Sequence, residues 1–272
     1  MGFQGLIGYG GGATGVANVT ASAGDGLIFD FDPGRMSGYS DSEQLGDGFN
    51  FTSQGAISYT GTTANGVSSQ ISCTISGGSC HFKTANGGHL DTNTNNCRIL
   101  IGNGGSPTTM GGDGGLLDTT DQSLVGWFQY NGSGRDVLIS RYGSGFPNTF
   151  NHIVDPGGQF HYNSGGNGLG GGDVDWDAFG NNVWFHCVWL YAVSDGTMRW
   201  YVNGSQVGTV VAGTNSNNGL LNDSNTGFAI AARADDMERL EGKIGYIKVY
   251  NQALTAAQVL ADYNSDKSRY GH

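Results

Sequence analysis

Asp173, Asp175 and Asp177 occupy alternate positions in Asp173-Val174-Asp175-Trp176-Asp177, the arrangement in this chain best suited to chemistry. Alternate residues of a strand share a face, so such carboxylates could act together, one as nucleophile and one as proton donor. Retaining glycoside hydrolysis needs the two carboxyls about 5–5.5 Å apart. The same spacing opens an EF-hand calcium loop, which also requires Gly at its sixth position and Glu at its twelfth. Those places hold Ala178 and Trp184, so the EF-hand reading fails. The run also follows Gly170-Gly171-Gly172, which reads as a solvated acidic loop rather than the middle of a strand.

Other residue types with catalytic potential form no set. His81, His89, His152, His161, His186 and His272 include no HExxH and no close pair at metal-ligand spacing. Each reads as a satisfied or solvent-facing histidine. No Gly-x-Ser-x-Gly stands at a strand-to-helix turn, and no Ser-His-Asp order can be picked out. Cys73, Cys80, Cys97 and Cys187 lack CxxC spacing, which argues against zinc. Cys73 and Cys80 could close a small loop, and buried free thiols fit them equally well. Cys187 lies in an apolar run and reads as core. Trp127, Trp184, Trp189 and Trp200 fall in strand-like runs, where tryptophan is more often core than a sugar-binding platform. The expectation is a protein that is not an enzyme and has no resident cofactor.

Composition narrows the setting. Fifty glycines in 272 residues, with four prolines, suit many tight turns between short strands. Charged residues are only 13% of the chain, which argues against charge-driven disorder. The net charge of −11 disfavours nucleic-acid binding, because the twelve cationic residues are scattered and form no basic face. No segment approaches the roughly 20 apolar residues of a membrane span. The N-terminus has neither a basic region nor a long apolar core, so a secretory signal is not expected.

Residues 1–24 carry no charge and are rich in glycine. Gly8, Gly10 and Ala13 loosely match a dinucleotide fingerprint, with Asp30 downstream, but no helical period follows them. Ordering so glycine-rich a segment costs much entropy, so a partner chain is expected to hold it. From residue 25 the chain turns strand-like. Gly26 to Phe31 ends in a Pro33-Gly34 turn, and residues 38–115 are polar and glycine-broken, with short candidate strands at Phe49–Thr52, Gln54–Thr60, Ser79–Lys83 and Cys97–Ile101. Clearer strands follow at Ser123–Tyr130, Val137–Arg141, Gln159–Tyr162, Val183–Val193, Met198–Val202, Gly227–Ala232 and Lys243–Tyr250. Asn203-Gly204 is a type I′ hairpin dipeptide. Thr255 and Gln258 form a capping box for a short helix, with Leu254 and Val259 as its hydrophobic staple. Many short strands with regular turn signals predict an all-β antiparallel sandwich, a jelly roll with one short C-terminal helix.

The runs Leu124-Val125-Gly126-Trp127-Phe128, Trp184-Phe185-His186-Cys187-Val188-Trp189 and Met198-Arg199-Trp200-Tyr201-Val202-Asn203-Gly204, closed by Gly242-Lys243-Ile244-Gly245-Tyr246-Ile247-Lys248-Val249-Tyr250, resemble laminin-G-like jelly rolls of the concanavalin A-like lectin/glucanase superfamily. The resemblance runs from Ser123 to Asn264, with Gly26 to Phe31 as the opening strand. A glycine-rich start such as Gly5-Leu6-Ile7-Gly8-Tyr9-Gly10 before that strand is similar to virion surface proteins of tailed phages.

The resemblance implies several sites. Jelly-roll glucanases carry Glu-x-Asp-x-Glu on a strand, whereas this chain has three Asp residues in a loop. Many laminin-G-like domains bind calcium at loop carboxylates, which makes Asp30 and Asp32 candidates beside Asp173, Asp175 and Asp177. An acidic residue often follows the Ile of the closing strand in that family, and here the place is Gly245. The organisation expected is an assembly arm at 1–24, a jelly roll at 25–264 and a short polar tail at 265–272. The function implied is a non-enzymatic virion structural protein, a capsid decoration or fibre subunit at the virion surface. Phe3, Leu6, Ile7 and Tyr9 would dock the arm on other virion proteins or on copies of the same chain. A lectin module binding cell-surface glycans, with or without calcium, is the alternative, and a glycoside hydrolase ranks third.

Overall fold

The computed structural model describes residues 26–59, 72–92, 97–102, 121–131, 134, 136–140, 150–154, 159–164, 174–175, 182–192, 197–212, 228–233 and 238–272. In chain order its strands begin with β1 (Leu27–Phe31), β2 (Glu43–Leu45), β3 (Ile57–Tyr59), β4 (Ser72–Ser76), β5 (Cys80–Lys83) and β6 (His89–Asp91). They continue with β7 (Arg98–Gly102), β8 (Gln122–Tyr130), β9 (Asp136–Ser140), β10 (Phe150–Val154), β11 (Gln159–Ser164) and β12 (Val174–Asp175). The last are β13 (Trp184–Ala192), β14 (Thr197–Val202), β15 (Ser205–Ala212), β16 (Phe228–Ile230) and β17 (Gly242–Tyr250), followed by helix α1 (Ala256–Asp266).

These strands form two antiparallel sheets. The first runs β15-β14-β13-β8-β17-β6-β5-β2, with β1 also on β17 and β3 on β1. The second runs β12-β11-β10-β9-β16-β7-β4. One edge of β17 lies on β8, and its other edge is shared: Ile244 pairs with Leu90 of β6, while Ile247 to Tyr250 pair with β1. The change of partner falls at Gly245-Tyr246, where the β8 register also shifts. This is the expected jelly-roll sandwich with one C-terminal helix.

Between the sheets lies one continuous core. Phe29, Phe31, Leu124, Phe128, Phe185, Trp189 and Ile247 of the first sheet meet Cys73, Ile75, Ile99, Ile101, Leu138 and Ile230 of the second. Strand β8 is buried along its whole length on both faces, because its alternate residues Val125 and Trp127 join a second cluster outside the sandwich. The β14–β15 hairpin turns at Asn203-Gly204, whose φ values of 49° and 77° are those a type I′ turn requires. The helix start is also as read from sequence: Thr255 and Gln258 make both bonds of a capping box, and Leu254 and Val259 are buried.

Two expectations are corrected. Phe49–Thr52 is not a strand: Asn50 makes an isolated bridge to Thr74, and a 3-10 turn starts at Thr52. Residues 265–272 are not a free polar tail. The helix extends to Asp266, a 3-10 turn follows at Lys267–Tyr270, and Tyr270 is buried at 4% exposure.

Candidate functional site

The sequence-predicted residues do not converge. Phe3, Leu6, Ile7, Tyr9, Asp173 and Asp177 lie outside the described residues. The backbone of Asp175 belongs to β12, the edge strand of the second sheet, opposite Gln159. It therefore stands in a short strand rather than in the loop expected.

Asp30 and Asp32 are both engaged by guanidinium groups. Asp30 is buried in β1 and pairs with Arg35 at 3.1 Å, and Arg35 also donates to the carbonyls of Asp30 and Ala56. Burial raises the Asp30 carboxyl, and the charges of Arg35 and Lys248 oppose that rise. Asp32 caps the following 3-10 turn by accepting from the Gly34 amide at 2.8 Å, and it takes two hydrogen bonds from Arg269. Both carboxylates are thus paired with guanidinium groups from within the chain. Among the described residues, no group of three or more His, Cys, Asp or Glu is placed to hold a metal.

The densest chemistry centres on Asp262, Tyr246 and Lys248, which the sequence does not single out, on the outer face of the first sheet beneath α1. Asp262 projects from the helix onto that sheet. Its Oδ2 accepts from Tyr246 Oη at 2.6 Å and from His186 Nε2 at 3.0 Å, and its Oδ1 accepts from Lys248 Nζ at 2.6 Å. Burial opposes the ionised carboxyl, but the His186 hydrogen bond and the Lys248 charge hold it well below the ordinary range. Burial, with the neighbouring Asp262 charge, pushes the Tyr246 hydroxyl well above its usual value.

Aromatic rings close the rest of this face. Tyr270 stacks on Trp127 with centroids 4.4 Å apart and lies 4.7 Å from Trp184. Tyr263 and His272 flank the same indole at 5.7 and 5.4 Å, and His272 Nε2 donates to the Trp184 carbonyl at 2.6 Å. Trp127, Trp184, Trp189 and Trp200 are all buried, so their core reading holds and they make no platform. His186 is 0% exposed. A His–Asp–Tyr cluster at an open cleft would suit proton transfer. Here His186 is fully buried while the Asp262 and Lys248 side chains keep 12% and 18% of their surface exposed, and the three bonds to Asp262 tie α1 to the sheet.

A signal for this cluster exists in the sequence. Tyr246 and Lys248 alternate on one strand face, and Val259, Asp262 and Tyr263 share a helix face at i, i+3 and i+4. The structure also accounts for Gly245. A Cβ there would lie 2.6 Å from Tyr270 Cζ, so the tyrosine ring occupies the room an acidic side chain would need.

A second carboxyl cluster lies at the start of β9. Asp136 is buried and accepts from the Glu241 amide at 2.7 Å. Burial, reinforced by the charges of Glu241 and Glu238, pushes it up to about 7. Glu238 in turn pairs with Arg233 at 3.4 Å.

Comparison with known proteins places this architecture. The Trypanosoma rangeli sialidase with 2,3-difluorosialic acid aligns over 95% of this chain and 37% of its own, at 13% identity and a TM-score of 0.52. The binding domain of botulinum neurotoxin DC in complex with rat synaptotagmin II aligns over 90% and 52%, at 12% identity and a TM-score of 0.48. The NanB sialidase of Streptococcus pneumoniae aligns over 53% and 24%, at 19% identity and a TM-score of 0.46. The chain therefore spans between about a quarter and about half of the length of these structures. No curated protein sequence matches it. Residues 102–260, more than half of the chain, match the laminin-G-type profile of the concanavalin A-like lectin/glucanases superfamily, and the chain belongs to that family.

Proposed function

We propose that the chain is a non-enzymatic structural protein of a bacteriophage virion, a capsid decoration or fibre subunit that displays its jelly roll at the particle surface. The observation that carries this reading is the junction between residues 1–24 and the sandwich. Strand β1 begins two residues after residue 25 and is clamped on both edges: Phe29 to Phe31 pair with β17 on one side and with β3 on the other. The Gly26 carbonyl accepts from the Asn251 amide at 2.8 Å, which extends the anchorage to the first described residue. Load applied through the N-terminal segment would thus be borne by two hydrogen-bonded ladders. The segment itself carries no charge, supplies Phe3, Leu6, Ile7 and Tyr9, and allows close backbone approach through its glycines. Docking on a neighbouring copy or another virion protein, by strand addition or by threading into a groove, matches that chemistry.

The C-terminal closure supports the same reading. With α1 and Tyr270 packed over the outer face of the first sheet, the sandwich becomes a rigid module whose large aromatic residues serve packing. The net charge of −11 suits a soluble surface module and disfavours nucleic acid as a partner.

The second reading is carbohydrate binding, with or without calcium, and family membership favours it. A surface protein can do both. The two are separated by comparing the full chain with a form lacking residues 1–24, its fold checked by circular dichroism. Loss of a defined oligomer or of particle binding, with any glycan-array signal unchanged, supports assembly through the arm. Hydrolysis of a glycan by the parent chain, abolished by Asp173→Asn or Asp177→Asn, would overturn the non-enzymatic assignment.

A further inference from the structure

An edge strand offers a row of backbone donors and acceptors to any extended chain that meets it. Among the described residues, β15, β2 and β3 end the first sheet, and β12 and β4 end the second. Strands β2 and β3 have three residues each and β12 has two, at or below the short end of strand lengths. The outer edge of β4 is occupied: the Phe51 amide donates to the Cys73 carbonyl at 2.8 Å, and the Ile75 amide to the Phe49 carbonyl at 3.0 Å. Strand β15 differs from all of these. It runs for eight residues, Ser205–Ala212, and among the described residues its ladder is to β14 on one side only. It contains Val207, Val210 and Val211, with neither a charge nor a proline to blunt the edge.

We propose that β15 of one copy accepts residues 3–9 of a second copy as an added strand. This rests on the reading of residues 1–24 as an assembly arm, and it names the surface on which that arm docks. Neither segment carries a charge, so no like charges oppose their approach and no ionised group is stripped of water. Alternate residues of a strand share a face, which puts Phe3, Ile7 and Tyr9 on one side of the donor. The matching side of β15 is its core side, where Val207 stands opposite the buried Trp200 and packs against the core. A donor in register would carry that apolar layer one strand further. The β14 ladder slips between Val207 and Val211, so the edge is bulged. Two bulged edges match each other poorly, which disfavours β15 pairing with β15 of a second copy. Gly5 and Gly8 let the arm follow the bulge.

Obstruction, rather than reach, selects a second copy over the same chain. Residues 1–25 can span about 80 Å when extended. Going from β1 through β17, β8, β13 and β14 to β15 crosses the sheet in steps of about 4.8 Å, well within that span. The direct path, however, runs over the outer face of the first sheet, and α1 is already packed there. A Cβ on Gly204, at the turn into β15, would lie 2.9 Å from Leu260 and 3.1 Å from Tyr263 of that helix. The other face of the sheet is the closed core. The β15 edge of a neighbouring copy is approached from outside and meets neither obstacle.

The test keeps the full chain. Photoreactive benzoylphenylalanine replaces Tyr9 in chains of natural isotope content, which are mixed in denaturant with isotopically heavy parent chains, refolded together, irradiated and digested. Trypsin cuts after Arg199 and Arg233, so β15 falls in peptide 200–233, and fragment sequencing locates the attachment within it. The result expected is a light arm peptide joined to a heavy peptide 200–233 at residues 205–212. Thr209→Lys combined with Val210→Lys blunts the edge and should reduce the parent's oligomer to single chains with an unchanged circular dichroism spectrum. If that variant fails to fold, the cross-link still decides. Attachment only of light to light, within one copy, or attachment to any other strand would overturn the proposal. So would an oligomer that Leu6→Asp with Ile7→Asp abolishes and the two lysines leave intact, an outcome that leaves the arm reading standing. A monomeric parent with no attachment between copies would overturn both this proposal and self-assembly through the arm.

Discussion

Arg269 holds Asp32 with two parallel hydrogen bonds, Nη1 to Oδ2 at 3.0 Å and Nη2 to Oδ1 at 2.8 Å, across 237 residues of chain. The same guanidinium donates to the carbonyls of Asn86 at 2.6 Å and Gly88 at 2.9 Å. Burial works against the charge, but the Asp32 hydrogen bonds hold the guanidinium above its usual value. One side chain therefore joins the C-terminal segment to the loop after β1 and to the loop before β6. Lysine cannot reproduce the planar fork. Arg269→Lys should cost about 1–3 kcal/mol of stability, read as a lower midpoint in chemical denaturation. An unchanged midpoint would remove the C-terminal segment from the account of stability.

Asp262 should dominate the acid limb of stability. Its carboxyl lies below the unfolded value of 3.8 when the chain is folded. A depressed folded value contributes stability that is present above about pH 4 and is lost as the pH falls below it. Asp262→Asn leaves Lys248 and Tyr246 without their shared acceptor charge, so stability at pH 7 should fall by about 2–4 kcal/mol. The variant should also lose less than the parent on acidification. Parallel acid profiles for the two proteins would contradict this.

Asp136 should act in the opposite sense. Its folded value of about 7 lies above the unfolded 3.8, so the uncharged form is the one that folding favours. That contribution is complete below about pH 4 and is lost as the pH rises through about 7. Asp136→Asn keeps an acceptor for the Glu241 amide and removes the buried charge. The melting temperature of the parent should decline from pH 6 to pH 8, and that of the variant should decline less. A variant with the parent's slope would mean that Asp136 does not titrate in this range.

How much of the fold is legible in the sequence depends on where the periodicity is strong. Strands β8, β13 and β17 can be read from alternating aromatic and β-branched residues, and the helix start from Thr255 and Gln258. Short strands cannot: β2, β3 and β6 have three residues each, too few for any period to show. The C-terminal part of the outer cluster is hidden for a different reason. Arg269 and Tyr270 follow Ser265, Asp266, Lys267 and Ser268, a composition that reads as a polar tail, and only the fold brings them against Asp32 and Trp127. The tryptophans read as core, and the structure agrees. Sequence spacing likewise cannot reveal that Arg35 and Arg269 reach Asp30 and Asp32.

Gly245 offers a direct check on the C-terminal closure. Added Cβ atoms rarely approach another heavy atom within 3.0 Å, and here Tyr270 Cζ and Cε1 would lie at 2.6 and 2.7 Å. Gly245→Ala should therefore displace Tyr270 and cost about 1–3 kcal/mol, the usual effect of overpacking. The tryptophan fluorescence of the folded protein should shift as Trp127 loses its stacked ring. A variant with the parent's stability and spectrum would show that Tyr270 does not lie over β17.

Assembly through residues 1–24 is the central claim, and the most direct measurement is the solution mass of the full chain beside a full-length variant carrying Leu6→Asp and Ile7→Asp. Size exclusion with light scattering should give a defined oligomer for the parent and a monomer for the variant, with identical circular dichroism spectra. Parent and variant of the same mass at every concentration would contradict self-assembly through the arm.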